Sequence, residues 1–455
     1  MRHPKDRSGV TRRQLLRGAA AAAAGTGVAG ALVACQNTTT PIGFCEDTGT
    51  EAGGTGDGAS AGGGSGLASS LVVAKPVGPG GLPLPRTDNS VEWAVTEDNP
   101  MLPEGVAPEG GTLTVFNYAD YIDPGLLKKF GKEFDCKVEP GTYESADEAI
   151  AKLTSGAVPF DVLIGLSGSN IVQLMATQLL QPLNHAYLPN LEANVWPELQ
   201  DPFYDRGAKY TVPYCVWQDG IGWRNDRIEA DIGAMDVPWD VFWECDQWPG
   251  KVGVLNDKRD TLSMPMQRDA MRGGYVVDVN TEDPDVIAKA GTDLQELDGL
   301  CNVKVVITSY QTLPEAKTLL HHTWSGDLLA GALYYLPSGT PPDVLSFWGP
   351  ETGGVVQNDF LAITRAAERP ALAHAFINFM LDEQNAYDNM VNFNGYIPPQ
   401  NGIDADRLIA DGLIPETLAG AVTRPEQFAG NQELLQLTVE GERLWDQAWS
   451  KFRGG

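Results

Sequence analysis

Two aromatic rings and a carboxylate fall together in Val115–Phe130, VFNYADYIDPGLLKKF: Tyr118, Asp120 and Tyr121, just ahead of Asp123 and Pro124. A strand ending here would place them in the loop at its C-terminal end, where α/β proteins bind ligands. Two rings and an acid suit a cation. A ring face attracts a nearby cation by roughly 0.5–2 kcal/mol, and a buried ammonium without a counter-charge is prohibitive. Other acids stand further along. Asp257 and Asp260 are three apart in LNDKRD at Leu255–Asp260, and Asp359 ends the run GGVVQND. Taken alone, Asp257 and Asp260 with Lys258 and Arg259 between them also describe a solvated helix start.

Nucleophilic and metal chemistry have weaker footing. Gly165-Leu166-Ser167-Gly168-Ser169 approaches a nucleophile elbow, but its fifth residue is serine, where the pattern requires glycine. No histidine–acid pair is placed to activate Ser167, so the expected role is a turn whose amides and hydroxyl line a cleft. His321 and His322 are adjacent and on a strand point to opposite faces. No Cys-x-x-Cys occurs. Neither a metal site nor a cofactor is expected.

The elements that must position these residues alternate. Thr112–Asn117 reads as a strand. Asp123 caps a helix with Pro124 in its first turn and Leu126, Leu127 and Phe130 on its apolar face. Cys136–Val138 opens a second strand, and Ser145 caps a helix carrying Ala149, Ile150 and Leu153. Phe160–Ile164 is a continuous apolar strand of the buried parallel type, and Ile171–Leu180 a further helix. This βαβαβα run predicts an α/β fold with a parallel sheet and helices on both faces. From about Gly110 to Gly455 there are near 345 residues, too many for one core, so two lobes are expected. Trp239, Trp243, Trp248, Trp445 and Trp449 are assigned to packing, and a C-terminal helix around Leu434–Phe452 to the core.

The N-terminus carries processing signals. Arg12-Arg13 in TRRQLL reads as a twin-arginine export signal, followed by an Ala/Gly-rich apolar run that ends in Leu32-Val33-Ala34-Cys35 and resembles a lipoprotein box. Residues 1–34 would be removed and Cys35 lipidated, tethering the protein to the outer face of the cytoplasmic membrane. Residues 35–75 read as a flexible Gly-rich tether, and 76–108 as an extended Pro-rich segment packed on the body, because it carries Val91, Trp93 and Leu102. The chain has 60 acids and 32 bases. One acid and six bases precede Cys35, which leaves 59 acids against 26 bases. That balance argues against nucleic acid as a partner. Cys136, Cys215, Cys245 and Cys301 allow three pairings in an exported protein, with Cys45 left in the tether.

The order of the pieces resembles the periplasmic spermidine/putrescine-binding proteins of ABC importers, within the wider bacterial solute-binding class. The match covers nearly all of Gly110–Gly455. It runs through FNYADYIDPGLLKKF, TYES at Thr142–Ser145, FDVLIGLS at Phe160–Ser167, YTVPYCVWQDGIGWRND at Tyr210–Asp226 and LNDKRD. It continues through TWSGD at Thr323–Asp327, GGVVQNDFLAI at Gly353–Ile363, AFINFML at Ala375–Leu381 and GYIPPQN at Gly395–Asn401. The resemblance implies a binding protein that catalyses nothing. It implies two α/β lobes joined by crossing hinge strands around a ligand cleft, with lobe 1 at 109–218 plus 348–402 and lobe 2 at 219–347 plus 403–455. A monomer is expected, docking on a membrane permease.

The same resemblance assigns the cleft. Asp359 would pair an amine, Asp257 and Asp260 would grip a terminal amine, and Asp120 would serve the opposite end. Tyr118, Tyr121, Trp324 and Tyr396 would be wall rings, and Ser167 a lining hydroxyl. Four positions depart from the pattern: Tyr118 stands for Trp, Asp120 and Asp260 each for Glu, and Gln357 for a cleft tryptophan; a tyrosine expected near Ser169 is also absent, and a glutamine expected near the C-terminus falls at about Leu435, with Gln436 beside it. The ligand implied is a polyamine, spermidine ahead of putrescine. Alternatives are another small cationic solute such as an opine-like compound, an exported serine hydrolase using Ser167, and an adhesin or scaffold that has lost its ligand.

Overall fold

The computed structural model describes residues 78–156 and 158–454. The export signal, Cys35, Cys45 and the tether at 35–75 lie outside the described residues.

The first strand, β1, is Gly111–Tyr118, and Tyr118 is its last residue. Helix α1 (Pro124–Glu133) starts where the sequence predicts: the Asp123 carboxylate accepts from the Gly125 amide, and Leu126, Leu127 and Phe130 are buried. Then come β2 (Cys136–Tyr143) and α2 (Ala146–Ser155), capped by Ser145, which accepts from the Glu148 amide. The third strand, β3, is Val162–Ser167, two residues later than the apolar run Phe160–Ile164 suggests, so Ser167 closes the strand. Helix α3 follows at once as Gly168–Ala176. The expected helix at Ile171–Leu180 therefore begins and ends earlier, and Leu180 with Gln181 forms the short β4. Leu180 is fully buried and pairs with a sheet strand; its apolar character serves the sheet.

The long strand β5 (Thr211–Arg224) joins two half-sheets. In the second half lie β6 (Val252–Leu255), α4 (Lys258–Gly273), α5 (Pro284–Cys301), β7 (Lys304–Val306), β8 (Leu320–Trp324), α6 (Ser325–Ala330) and β9 (Leu345–Trp348). The chain then returns through β10 (Val356–Thr364). The strand order is β2-β1-β3-β10-β5-β8-β6-β7, with β4 on β10 and β9 on β5. Pairs β1–β2, β1–β3, β6–β7 and β6–β8 are parallel. Strands β10 and β5 run antiparallel to their neighbours. The sheet is therefore mixed rather than purely parallel: each half is built from βα units that need crossovers, and β10 and β5 run against them.

The switch of partner on β5 is sharp. Thr211–Gln218 pair with β10, whereas Asp219–Trp223 pair with β8. Each half has its own core. Phe130 and Phe376 anchor one face of the first half and Phe116, Phe160 and Tyr204 the other. Trp239, Phe242, Leu294 and Trp445 anchor the second. The last helix, α7, is Val439–Arg453, capped by Thr438. It starts later than Leu434 because Leu434 and Leu437 are buried in coil ahead of it. Cys245 and Cys301 form a disulfide, while Cys136 and Cys215 are free thiols. From residue 78 to 102 the chain lies over the body. Val91 and Trp93 are buried, and the Trp93 indole donates to the Tyr204 carbonyl at 2.7 Å.

Candidate functional site

Strand ends converge beside β10, where β5 leaves the first half for the second. Asp359, on β10, is opposite Ser167 on β3 and opposite Cys215 on β5. The register slips on both sides of it. Beyond Asp359 the next β10 pairs are Leu361 with Ile164 and Phe360 with Pro213, so β3 and β5 each carry one residue more than β10 there. Such bulges re-aim side chains and recur beside functional sites. Gly165 makes the β3 bulge possible. Its φ is +97°, and a Cβ there would lie 2.9 Å from the Tyr118 ring and 3.0 Å from the Tyr121 ring. Only glycine meets both demands.

Asp359 is 6% exposed. The Tyr121 hydroxyl donates to its Oδ2 at 2.6 Å and lies 2.7 Å from the Cys215 thiol. Tyr121 is held from below by Tyr214, whose hydroxyl donates to the Tyr121 carbonyl at 2.7 Å. Burial pushes the Asp359 carboxyl up to about 7, against the lowering effect of the Tyr121 bond. The Tyr118 hydroxyl is pushed up by burial and then by the charges of Asp359 and Asp257, which places it within the field of both acids.

The second group comes from β8 and α4. Asp257 is the N-cap of α4, accepting from the Arg259 and Asp260 amides through Oδ1. The helix-start reading of this pair thus holds for Asp257, whose capping is local chemistry. Asp260 differs. It is buried, and the Trp324 indole donates to its Oδ1 at 3.0 Å. Burial pushes its carboxyl well above the usual range, and the charges of Asp219 and Asp257 push it further. Asp219 is wholly buried beneath it, its Oδ2 3.5 Å from His322 Nε2.

A row of rings links the two groups. Tyr118 lies 5.9 Å from Tyr121, Tyr121 5.9 Å from Tyr396, Tyr396 5.9 Å from Trp217, and Trp217 6.5 Å from Trp324. Tyr396 also crosses between halves. Its hydroxyl donates to Asp327 Oδ1 of α6 at 2.8 Å, and its ring packs so closely on Gly326 that a Cβ there would lie 2.4 Å away. Among the described residues, no Lys or Arg lies within ion-pair distance of Asp219, Asp257, Asp260 or Asp359. Aromatic walls with unneutralised carboxyls at both ends can hold a chain with spaced positive charges.

Of the residues singled out in the sequence, the structure brings together Tyr118, Tyr121, Ser167, Asp257, Asp260, Trp324, Gln357, Asp359 and Tyr396. Asp120 is exposed at the rim, with φ +57°. Trp217, Asp219 and Asp327 were missed. Trp217 is the direct cross-strand partner of Gln357, so an indole stands beside that amide. Period-2 alternation groups Cys215, Trp217 and Asp219, but nothing in the sequence aligns them with β10. Among the described residues no histidine is engaged with Ser167: His185 and His374 contact the Ala208 and Pro370 carbonyls, His321 the His322 carbonyl, and His322 faces Asp219.

Residues 125–415 match the model of a family described as bacterial extracellular solute-binding protein. The spermidine/putrescine-binding periplasmic protein of Escherichia coli (strain K12) is 28% identical over 352 residues, covering 77% of this chain and 93% of that protein. The solved spermidine/putrescine ABC transporter substrate-binding protein from Streptococcus pneumoniae superposes with a TM-score of 0.61 at 23% identity, covering 76% of this chain and 99% of that one. A Treponema pallidum lipoprotein superposes with a TM-score of 0.59 at 18% identity, covering 76% and 100%. These likenesses carry the two-lobed fold.

Proposed function

The chain belongs to the bacterial extracellular solute-binding proteins, and from that premise we propose that it captures a polyamine between its lobes and delivers it to the permease of an ABC importer. The observation that carries this reading is Asp359: a buried carboxyl whose side-chain partner is a neutral phenol, set in a row of rings that leads to Asp257 and Asp260. A carboxyl so placed awaits a cation. The ring row accommodates methylenes, and the acids at its two ends suit ammonium groups separated by them. Spermidine is the leading ligand and putrescine the next; the relatives that bear these names point the same way.

We assign lobe 1 to 109–218 plus 348–402 and lobe 2 to 219–347 plus 403–455. The change of partner on β5 between Gln218 and Asp219 supports that division. Closure of the lobes on ligand would be a hinge motion about β5 and β10. Tyr118, Tyr121, Trp324 and Tyr396 would be walls, Ser167 a lining hydroxyl, and Asp120 a rim charge. We also propose export by the twin-arginine route and lipid anchoring at Cys35, with the protein acting as a monomer. No helix among the described residues is long and apolar enough to cross a membrane.

A second reading is another small cationic solute, favoured by the buried Gln357 where the resemblance implies a ring. Titration calorimetry of the exported protein with spermidine, putrescine, spermine and an amino-acid panel separates the two. Heat from a polyamine at micromolar concentration supports the first reading. Silence from every polyamine, with or without a response to another solute, ends it.

A further inference from the structure

The amine reading leaves two buried polar atoms in the cleft without a role. Trp217 on β5 and Gln357 on β10 are direct cross-strand partners, so their side chains leave the same face of the sheet. Asp359 lies two residues on from Gln357, on that face. The Trp217 ring stands edge-on to Trp324 and Tyr396, centroids 6.5 and 5.9 Å away. Its Nε1 is buried and has no hydrogen-bond partner among the described residues; the same holds for Gln357 Oε1. The two are neighbours yet not bonded to each other.

An indole N–H can only donate and an amide oxygen can only accept. Buried polar groups are rarely left unpaired, because each such atom forfeits its hydration for nothing. A methylene chain satisfies neither atom. A protonated amine can donate to Gln357 Oε1, but it has no lone pair to accept from Trp217. An oxygen substituent completes the set. A hydroxyl takes the Trp217 proton and gives its own to Gln357. A secondary amide does the same with its carbonyl and its N–H.

We infer that Trp217 and Gln357 form an oxygen-recognising subsite between the acid-lined ends of the cleft, selecting an amine chain that bears a hydroxyl or amide group over an unsubstituted polymethylene amine. This rests on the reading of the cleft as an amine site and moves its preferred ligand from spermidine itself to an oxygen-substituted amine chain. Trp217 then has two functions: its ring supplies the wall missing at Gln357, and its N–H reads the substituent.

The test is calorimetry with a matched pair, 1,3-diaminopropane against 1,3-diamino-2-propanol, equal in length and amine number. The hydroxylated diamine should bind about tenfold or more tighter than its plain partner, the scale of one buried bond made or lost. Trp217→Phe keeps the ring and removes the donor. It should erase that advantage, costing the hydroxylated diamine about tenfold more affinity than its plain partner. Gln357→Leu, an independent change on the facing strand, should erase it too, and thermal denaturation of both variants confirms that they fold. Equal affinity for the pair, as a water bridging the two residues would give, overturns the inference. So does equal weakening of both members by Trp217→Phe, which would leave the ring a packing role only. If no amine of either kind binds, the amine reading itself fails and this inference falls with it, an outcome distinct from plain amines binding best.

Discussion

Replacing Asp359 with asparagine tests the centre of the mechanism, because it should move stability and binding in opposite directions. In the unliganded protein the carboxyl is raised from 3.8 to about 7 by burial. At about 1.4 kcal/mol per tenfold change in protonation, that rise corresponds to at most about 4 kcal/mol of destabilisation. The sign follows from which state holds the proton. In the unfolded chain the group ionises above pH 3.8, while in the folded chain it stays protonated up to about 7. The penalty is thus absent below pH 3.8, grows as pH rises and is complete above 7. Asp359→Asn removes it, so the unliganded variant should be more stable than the parent at pH 8 and equal to it at pH 3.5. Urea denaturation at several pH values measures the difference.

Binding should respond the other way. A cation pairs with the ionised carboxylate and draws its pKa down. Affinity for spermidine should therefore rise as pH climbs towards 7 and level off above it. Proton release should appear as a buffer-dependent heat in calorimetry below pH 7. Asp359→Asn should weaken spermidine binding by about 2–5 kcal/mol, the scale for truncating one side of a buried charge pair, and should remove the part of the pH dependence centred near 7. A variant that binds as well as the parent, or that is less stable than the parent at pH 8, would refute the reasoning. Either result would mean the carboxyl is satisfied within the protein rather than waiting for a ligand.

Other substitutions separate charge from structure. Asp257→Asn keeps a capping side chain and should weaken binding with no loss of melting temperature, whereas Asp257→Ala should also cost about 1 kcal/mol of stability by exposing the α4 cap. Trp324→Phe removes the donor to Asp260 Oδ1. It should push that carboxyl higher still, so ligand affinity falls about tenfold at neutral pH and recovers partly in alkaline titrations. Gly165→Ala places a Cβ against Tyr118 and Tyr121 at a φ of +97°. A loss of about 1–3 kcal/mol in denaturant unfolding is expected, with weaker binding from the displaced rings. Tyr396→Phe removes the bond to Asp327 between the halves; stopped-flow measurements should show faster ligand release with little change in the association rate.

Much of the scaffold around β1 to β3 was legible from local rules. The Asp123–Pro124 helix start and the Ser145 cap depend on contacts within a few residues, and both form as read. Boundaries that depend on distant partners were not. Leu180 reads as a helix residue until β10 is beside it, and Leu434 reads as helical until the core around Trp239 and Trp445 takes it in coil. The same contrast holds among the acids. Asp257 caps its own helix, whereas the burial of Asp260 depends on Trp324 from a strand 64 positions away.

The sequence by itself determined which residue types were available: acids, rings and a glycine-rich turn in an order shared with a known class. Motifs of this kind are contiguous, so they survive as text. Only the tertiary structure decided that Trp217 faces Gln357, that two bulges flank Asp359, and that Asp219 lies beneath Asp260. Cross-strand register is set by sheet pairing between segments far apart in the chain, and a shift of one residue turns every side chain to the other face. A charge's environment is likewise a sum over neighbours in space. No reading along the chain supplies that sum, and here it determines which carboxyl is free to meet a cation.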